Sequence, residues 1–285
     1  MAAITPEQVE SYHVDGYAAV RSVIDVGTLA RLRGTLAELL DKAAALTDSD
    51  DVFILEAGHS AADPRLQRVS HPVAVHDVFW QVATSDAVLD CVESLIGPNI
   101  RFHHSKLNFK ARRGGVRIGW HQDFAFFPHT NYDVLACGIA IEDATVDNGC
   151  LMVIPGSHKM PILNHRDEAG EFVGQIKDDL ATDDADRAAP VELAAGDMSI
   201  HNACVIHGSA PNESGCNRPL LIFEYTACDT LPLEHRPPAN EYSGRVVRGN
   251  ETPHARLAGA VTLPLRGDIS TAKSIFARQQ KAMMR

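Results

Sequence analysis

The sequence has no apolar run near the ~18 residues that a bilayer-spanning helix requires, so no transmembrane helix is expected. None of its 6 cysteines (Cys91, Cys137, Cys150, Cys204, Cys216 and Cys228) forms a CxxC pair. Most lie in apolar runs such as VLACGIAI and NACVIHG, which argues against zinc or disulfides and for buried free thiols in a reducing compartment. An excess of positive charge is missing as well. The formal net charge is −11 and the pI about 5.6, and an acidic chain repels phosphate backbones, so nucleic acid is not an expected partner. The opening MAAITPEQVESYHVDGY has no basic region ahead of an apolar core, and the closing KAMMR matches no address tag. A cytoplasmic location follows as the expectation. There is no parallel βαβ alternation and no internal repeat.

What is present is ordinary globular composition, 45% hydrophobic and 22% charged over 285 residues, enough for one sizeable core. Thr5-Pro6-Glu7-Gln8 reads as a capping box opening a short helix to about Asp15. After Gly16 comes a strand-like YAAVRSV. Residues 26–46 carry Leu29, Leu32, Leu36, Leu39 and Leu40 at helical spacing. Residues 74–96 read as two more helices, with Asp86 as a cap and Gly97-Pro98 as a stop. Beyond Pro98 short β-rich runs alternate with turns: NIRFHHSKLNFKA, DVLACGIAIED, CLMVIPGSH, VELAAGDMSIHNACVIHG and RPLLIFEYTA. Asn148-Gly149 between two such runs predicts a hairpin. Residues 163–190 read as a polar inserted loop or short helix, and 229–285 as proline-rich loop followed by a basic helix, STAKSIFARQQKAMMR. One domain is expected over 1–285: a helical part to about 97, a β-rich core over about 98–228, and an extension over 229–285.

Within GWHQDFAFFPHT, His121 and Asp123 stand two residues apart. That spacing alone means little, because it occurs three times in the chain and chance pairing predicts about two. His13 and Asp15 fall in a helix, where positions i and i+2 diverge. His165 and Asp167 sit in the charged NHRDEAGE and read as solvated surface. His121 and Asp123 lie among Trp120, Phe124, Phe126 and Phe127; on an extended chain both point one way and Gln122 points the other. A non-heme iron(II) site needs two histidines and one carboxylate on one face. The second histidine is His207 or His201, six residues apart in one apolar run, and periodicity does not choose between them. Arg218, eleven residues after His207, favours the former. A lone arginine opening an apolar strand needs an anion, and a short connection would return that strand beside His207. Pairing with Glu224 inside the protein is the competing reading of Arg218.

The ordered set GPNI (97–100), HQD (121–123) with FFP, EDATVDNGCLMVIPGSHK (142–159), GD (196–197), HGS (207–209) and Arg218 resembles the phytanoyl-CoA dioxygenase family of Fe(II)/2-oxoglutarate oxygenases over roughly residues 5–228. The resemblance implies a mostly β fold, a double-stranded β-helix (jelly roll, cupin-like) wrapped by N-terminal helices. It implies His121, Asp123 and His207 as iron ligands. It implies Arg218, with Ser209, for the distal carboxylate of 2-oxoglutarate, and Lys106, Arg68 and Gln122 as further cosubstrate contacts. Ile139 stands where the family often has an aromatic residue. Asp123 is a carboxylate, so oxygenation with O2 is implied rather than halogenation. The expected reaction hydroxylates a C–H bond of a small, possibly anionic, organic molecule and releases succinate and CO2. Candidate substrate contacts are Phe124, Phe126, Phe127, His129 and Asn108, with Asn131 and Tyr132 near the pocket mouth. The run Lys106, Lys110, Arg112, Arg113 and Arg117 offers local positive charge for an anion. A monomer or homodimer is expected, with no membrane partner. Competing classes are a jelly-roll metalloenzyme without 2-oxoglutarate, such as a cupin-like dioxygenase or isomerase, and a non-catalytic binding protein on the same fold.

Overall fold

The computed structural model describes residues 4–176, 186–234 and 238–259. Helix α1 (Pro6–Asp15) opens on the capping box: Thr5 accepts from the Gln8 amide, and the Gln8 side chain accepts from the Thr5 amide at 2.8 Å. Helix α2 (Val26–Ala44) is capped by Asp25, whose carboxylate accepts from Gly27 and Thr28, and buries Leu29, Leu32, Leu36 and Leu39 along one face. Helices α3 (Asp77–Ala83) and α4 (Asp86–Ile96) follow. Asp86 is the first helical residue of α4 rather than its cap; Ser85 holds the cap position, and Asp86 is drawn outward by Arg248 at 2.7 Å.

Two antiparallel sheets face each other. The larger runs β1 (Tyr17–Val20), β9 (Met198–Asn202), β6 (Val134–Ala140), β11 (Arg218–Ala227), β4 (Ile100–Lys110), β3 (Leu66–Ser70), β2 (Phe53–Leu55), with β12 (Val246–Arg248) also paired to β4. The smaller runs β5 (Ile118–His121), β10 (His207–Ser209), β7 (Leu151–Val153), β8 (Ala189–Val191). This is a mostly β, jelly-roll architecture with, among the described residues, four α-helices against one sheet. Strand alternation sorts the side chains into two cores. Leu107, Leu221, Phe223 and Tyr225 point outward under the helices, where the Tyr225 hydroxyl donates to Ala83 O at 2.7 Å. Each such side chain contributes about 1.5–3 kcal/mol by leaving water. The inward positions Leu220 and Ile222 join the core between the sheets. Arg218 and Glu224, of the same parity, are buried with them, and such charges demand partners.

Asn148-Gly149 does make a tight turn, with Gly149 at φ 77°, but not a hairpin. β6 pairs with β9 and β11, whereas β7 pairs with β8 and β10, so the turn carries the chain from one sheet to the other. A Cβ on Gly149 would lie 2.5 Å from Ala210 O, so close approach as well as φ calls for glycine. Nor does the Arg218 strand return beside His207. β11 lies between β4 and β6 in the large sheet, and β10 lies in the small one. The arginine reaches the site across the barrel. Of residues 163–190, 163–176 form loop with one bridge between Arg166 and Phe172, and Ala189 and Pro190 already belong to β8. The basic helix expected over 270–285 lies outside the described residues.

Candidate active site

His121 ends β5 and sits directly opposite His207 of β10, so the two rings are 4.1 Å apart between centroids. After β5 the chain turns at Asp123–Ala125, a turn fixed by the Phe124 amide donating to Ala203 O at 2.9 Å. That turn brings Asp123 back between the rings: Oδ1 is 3.6 Å from His121 Nε2, and Oδ2 is 3.7 Å from His207 Nε2. All three are buried, and one donor atom from each lies within 4.8 Å of the others. The tautomers are set locally. His121 Nδ1–H donates to Gly119 O at 2.9 Å and His207 Nδ1–H to Val205 O at 3.0 Å, which leaves both Nε2 lone pairs for an ion. Burial pulls both imidazoles below their ordinary range and keeps them neutral. Burial opposes the charge on Asp123, yet the Lys106 ammonium and a hydrogen bond from His201 hold its carboxyl below the usual carboxylate range. Two neutral imidazoles and one carboxylate on one wall of a cavity match the donor set of a non-heme iron(II) centre.

His201 also reaches Asp123, with Nε2 3.4 Å from Oδ2, but from β9 in the opposite sheet. Its Nδ1 has no hydrogen-bond partner, so nothing fixes its tautomer and Nε2 is free to carry a proton toward the carboxylate. It behaves as a buried neighbour of the group.

The cavity holds about 630 Å³ and lies between the sheets. At its inner end sits Arg218, 3% exposed, which touches no carboxylate among the described residues. One amino group donates to Gly149 O at 3.2 Å, while Nε has no partner. Burial pushes the guanidinium down to about 10. Ser209 Oγ is a second buried, unpartnered atom lining the same cavity. The expected competitor for Arg218, Glu224, is engaged elsewhere: Lys106 Nζ lies 2.8 Å from it and His104 Nε2 3.1 Å. Lys106 also approaches Asp123 at 3.8 Å, and burial's pull on its charge is outweighed by those two carboxylates. Arg68 and Asn108 face each other across β3 and β4 and line the cavity, and Arg68 Nε and Asn108 Oδ1 are unpartnered.

Several expected contacts are absent. Gln122 is fully buried behind the turn, donating to Cys204 O at 2.9 Å and accepting from Leu163 N at 2.8 Å; it holds the loop and does not line the cavity. Phe124 packs in a small core with Val134, Ala203 and Cys204, whereas Phe126, Phe127 and His129 line the cavity. Asn131 anchors the backbone of Arg256, and Tyr132 packs on Phe124. Of the basic run only Lys106 lines the cavity. Lys110 is buried against Val116 O and Ala210 O, and Arg112 pairs with Asp63. Ile139 faces the outer core. His165 is buried rather than solvated: its Nε2 accepts from the Gln122 amide at 3.0 Å and its ring stacks on Phe172. The charged letters around it hid this, because its apolar frame is Phe126 from the turn after β5 and Phe172 folded back by the Arg166–Phe172 bridge. The cavity also has walls no motif announced, His71, His103 and His104, and the described part of 229–259 covers its mouth through Pro232, Pro238 and Gly244.

Fold and site together define a 2-oxoglutarate-dependent dioxygenase. The chain belongs to the phytanoyl-CoA dioxygenase (PhyH) family, whose model matches residues 12–220. It is 32% identical to a probable alpha-ketoglutarate-dependent hypophosphite dioxygenase of Stutzerimonas stutzeri over 91% of this chain and 90% of that one. It is 25% identical to a methylphosphonate hydroxylase of Gimesia maris, covering 79% and 81%. Among solved structures, EctD from S. alaskensis with bound Fe superposes with a TM-score of 0.70 at 21% identity, covering 88% of this chain and 89% of that one. The chain thus works on a small molecule with iron, 2-oxoglutarate and O2, and no helix among the described residues is long and apolar enough to cross a membrane.

Proposed function

We propose that His121, Asp123 and His207 hold the iron, that Arg218 and Ser209 bind the distal carboxylate of 2-oxoglutarate, and that the rest of the cavity receives a compact anion whose C–H or P–H bond is hydroxylated. The observation that carries this reading is Arg218: a buried guanidinium with an orphaned Nε and no carboxylate partner among the described residues, lining the cavity that holds the metal donors. Such a group is costly unless an anion arrives, and a carboxylate answers it bidentately. This disfavours a metalloenzyme without 2-oxoglutarate and a binding protein without chemistry. Bound iron(II) supplies the redox chemistry that couples oxidative decarboxylation of 2-oxoglutarate by O2 to hydroxylation.

The protein's own part is positioning and exclusion. Backbone carbonyls hold both ligand imidazoles in register, Lys106 balances Asp123 and Glu224, and Phe126 and Phe127 close the cavity to water. Around the metal donors three cations (Arg68, Lys106, Arg218) face two carboxylates (Asp123, Glu224), an excess of one positive charge. Iron(II) and the 2-oxoglutarate dianion cancel each other, so a monoanionic substrate restores neutrality. The relatives named for hypophosphite and methylphosphonate support that choice. Buried free cysteines support a cytoplasmic location, and the reading is of one domain, monomeric or homodimeric.

The test is anaerobic reconstitution with Fe(II) and 2-oxoglutarate, followed by the visible charge-transfer band and by succinate release on adding O2 with hypophosphite or methylphosphonate. The band is expected, and succinate release is expected to rise with at least one anion. Arg218→Met is expected to raise the KM for 2-oxoglutarate on the order of 10–100-fold, the loss of a charge-assisted bond. No band in the parent protein, or an unchanged KM in the variant, overturns the assignment.

A further inference from the structure

His103 and His104 are consecutive on β4, where alternation would send them to opposite faces. The β4–β11 register breaks here: Glu224 opposes His104 and Tyr225 opposes Phe102, which leaves His103 as an extra residue. This β-bulge lets both histidines line the cavity. Their rings are 4.8 Å apart, and Phe127 packs on both. His129 packs on His103 at 5.2 Å. The place is defined along β11. Arg218 marks the cosubstrate end, Ile222 pairs with Lys106 near the metal donors, and Glu224 pairs with His104 beyond them. Six residues of strand put Glu224 about 20 Å from Arg218.

Charge and hydrogen bonds together set which nitrogens carry protons. Glu224 is a buried carboxylate and can only accept, and His104 Nε2 lies 3.1 Å from it, outside hydrogen-bond alignment, so the negative charge favours the proton on that nitrogen. A neutral His104 then has a bare Nδ1, which accepts from His103 Nδ1–H at 2.7 Å. His103 Nε2 is left as an acceptor. His129 Nδ1–H donates to Phe127 O at 2.8 Å, so its Nε2 is an acceptor too. Thr226, two residues beyond Glu224 and 1% exposed, also lines the cavity, and its hydroxyl has no partner among the described residues. The outer cavity thus has two bare imidazole nitrogens and one unmatched hydroxyl. Burial pushes His104 and His129 down to about 4, which keeps the rings neutral. A second metal fits less well, because the Lys106 ammonium already lies 2.8 Å from the carboxylate such an ion would use.

We propose that His103, His129 and Thr226 form a substrate subsite that recognises a hydrogen-bond donor group, a hydroxyl or an ammonium, at the end of the substrate remote from 2-oxoglutarate. Glu224 is a positioning residue that sets the tautomers from behind. The proposal rests on the function proposed above for the anionic end. It narrows the substrate from a bare anion to an anion carrying a protic group a few bonds away.

Three matched probes test it in the Fe(II)–2-oxoglutarate protein without O2: ethylphosphonate, 2-hydroxyethylphosphonate and 2-aminoethylphosphonate. Binding is read as perturbation of the charge-transfer band. At least one donor-bearing probe is expected to bind tenfold or more tighter than ethylphosphonate, and the tighter of the two tells hydroxyl from ammonium. In His103→Ala and in His129→Gln the advantage is expected to fall below about threefold, with the band itself showing that each variant is folded. In Glu224→Gln, whose amide presents either oxygen or nitrogen to His104, nitrogen-15 NMR is expected to show His103 in both tautomers where the parent shows one. Equal affinity for the three probes, no response to any of them, or an advantage that survives both histidine variants overturns the subsite. Absence of the band in the parent protein overturns the iron reading instead.

Discussion

Three imidazoles crowd Asp123, and only their outer nitrogens tell them apart. His121 and His207 each spend Nδ1–H on a backbone carbonyl, which commits Nε2 as a lone-pair donor. His201 spends nothing on Nδ1 and stands 3.4 Å from Asp123 Oδ2, a geometry that suits donation to the carboxylate rather than to an ion. His207→Ala is therefore expected to abolish iron binding, measured as iron retained per chain after anaerobic loading and desalting. His201→Ala is expected to retain iron, weakened by about 10–100-fold as for the loss of an outer partner. The reverse pattern would mean that His201 is the ligand. Spacing in the sequence leaves the two equivalent, because both lie in one apolar run and six residues apart. The distinction sits in one carbonyl, Val205, which engages His207 Nδ1 and whose direction only the folded backbone supplies.

At the level of elements, the Gly196-Asp197 turn shows how a motif without chemistry holds a site. Asp197 is 3% exposed; its carboxylate accepts from the Ser22 amide at 2.8 Å and the Ala194 amide at 2.9 Å, and pairs with Arg21. It ties the end of β1 to the start of β9, the strand that carries His201. Asp197→Ala leaves two backbone amides unmet, and urea unfolding is expected to lose about 2–4 kcal/mol with an unchanged slope. A loss under about 1 kcal/mol would show that water replaces the carboxylate. The elements legible in the sequence are those whose signals are local: the Thr5–Gln8 box, the leucine face of α2, and the alternation in β11 that separates Leu221 and Phe223 from Leu220 and Ile222. What stayed hidden depends on partners far along the chain. Asn148-Gly149 has hairpin chemistry, but its flanking strands find better partners in different sheets. Arg218 is legible as an arginine opening an apolar strand, yet that strand pairs with β4 and β6, not with β10. The His103–His104 bulge escapes any period-two reading, since one inserted residue is what puts both rings on one face.

Over the whole molecule, the cavity is an acid-sensitive device because it buries neutral histidines. The segment over its mouth is tied down by arginines: Arg248 to Asp86, Asp90 and Glu93, and Arg256 to Asp229 and Asp133. The carboxylates on Arg248 are largely exposed and those on Arg256 partly so, and such solvent-screened pairs each contribute at most about 1 kcal/mol. The larger pH effect lies inside. His104 and His129 titrate near 4 when folded because burial disfavours their charge, whereas in the unfolded chain they take up protons below about 6.5. Between those values the unfolded state binds more protons, so stability rises with pH; it is fully present above about 6.5 and is lost as pH falls toward 4. His121 and His207 are shifted in the same direction, by the same cause. The depressed carboxyls of Asp123 and Glu224 add a further loss only below the ordinary carboxylate range. Metal-free protein, unfolded in urea at pH 7 and at pH 5, is expected to lose about 3–4 kcal/mol at the lower value from His104 and His129 alone. His129→Gln is expected to remove close to half of that loss. Equal stability at the two pH values would mean that these rings are hydrated or protonated in the fold, and the acceptor nitrogens lining the outer cavity would go with them.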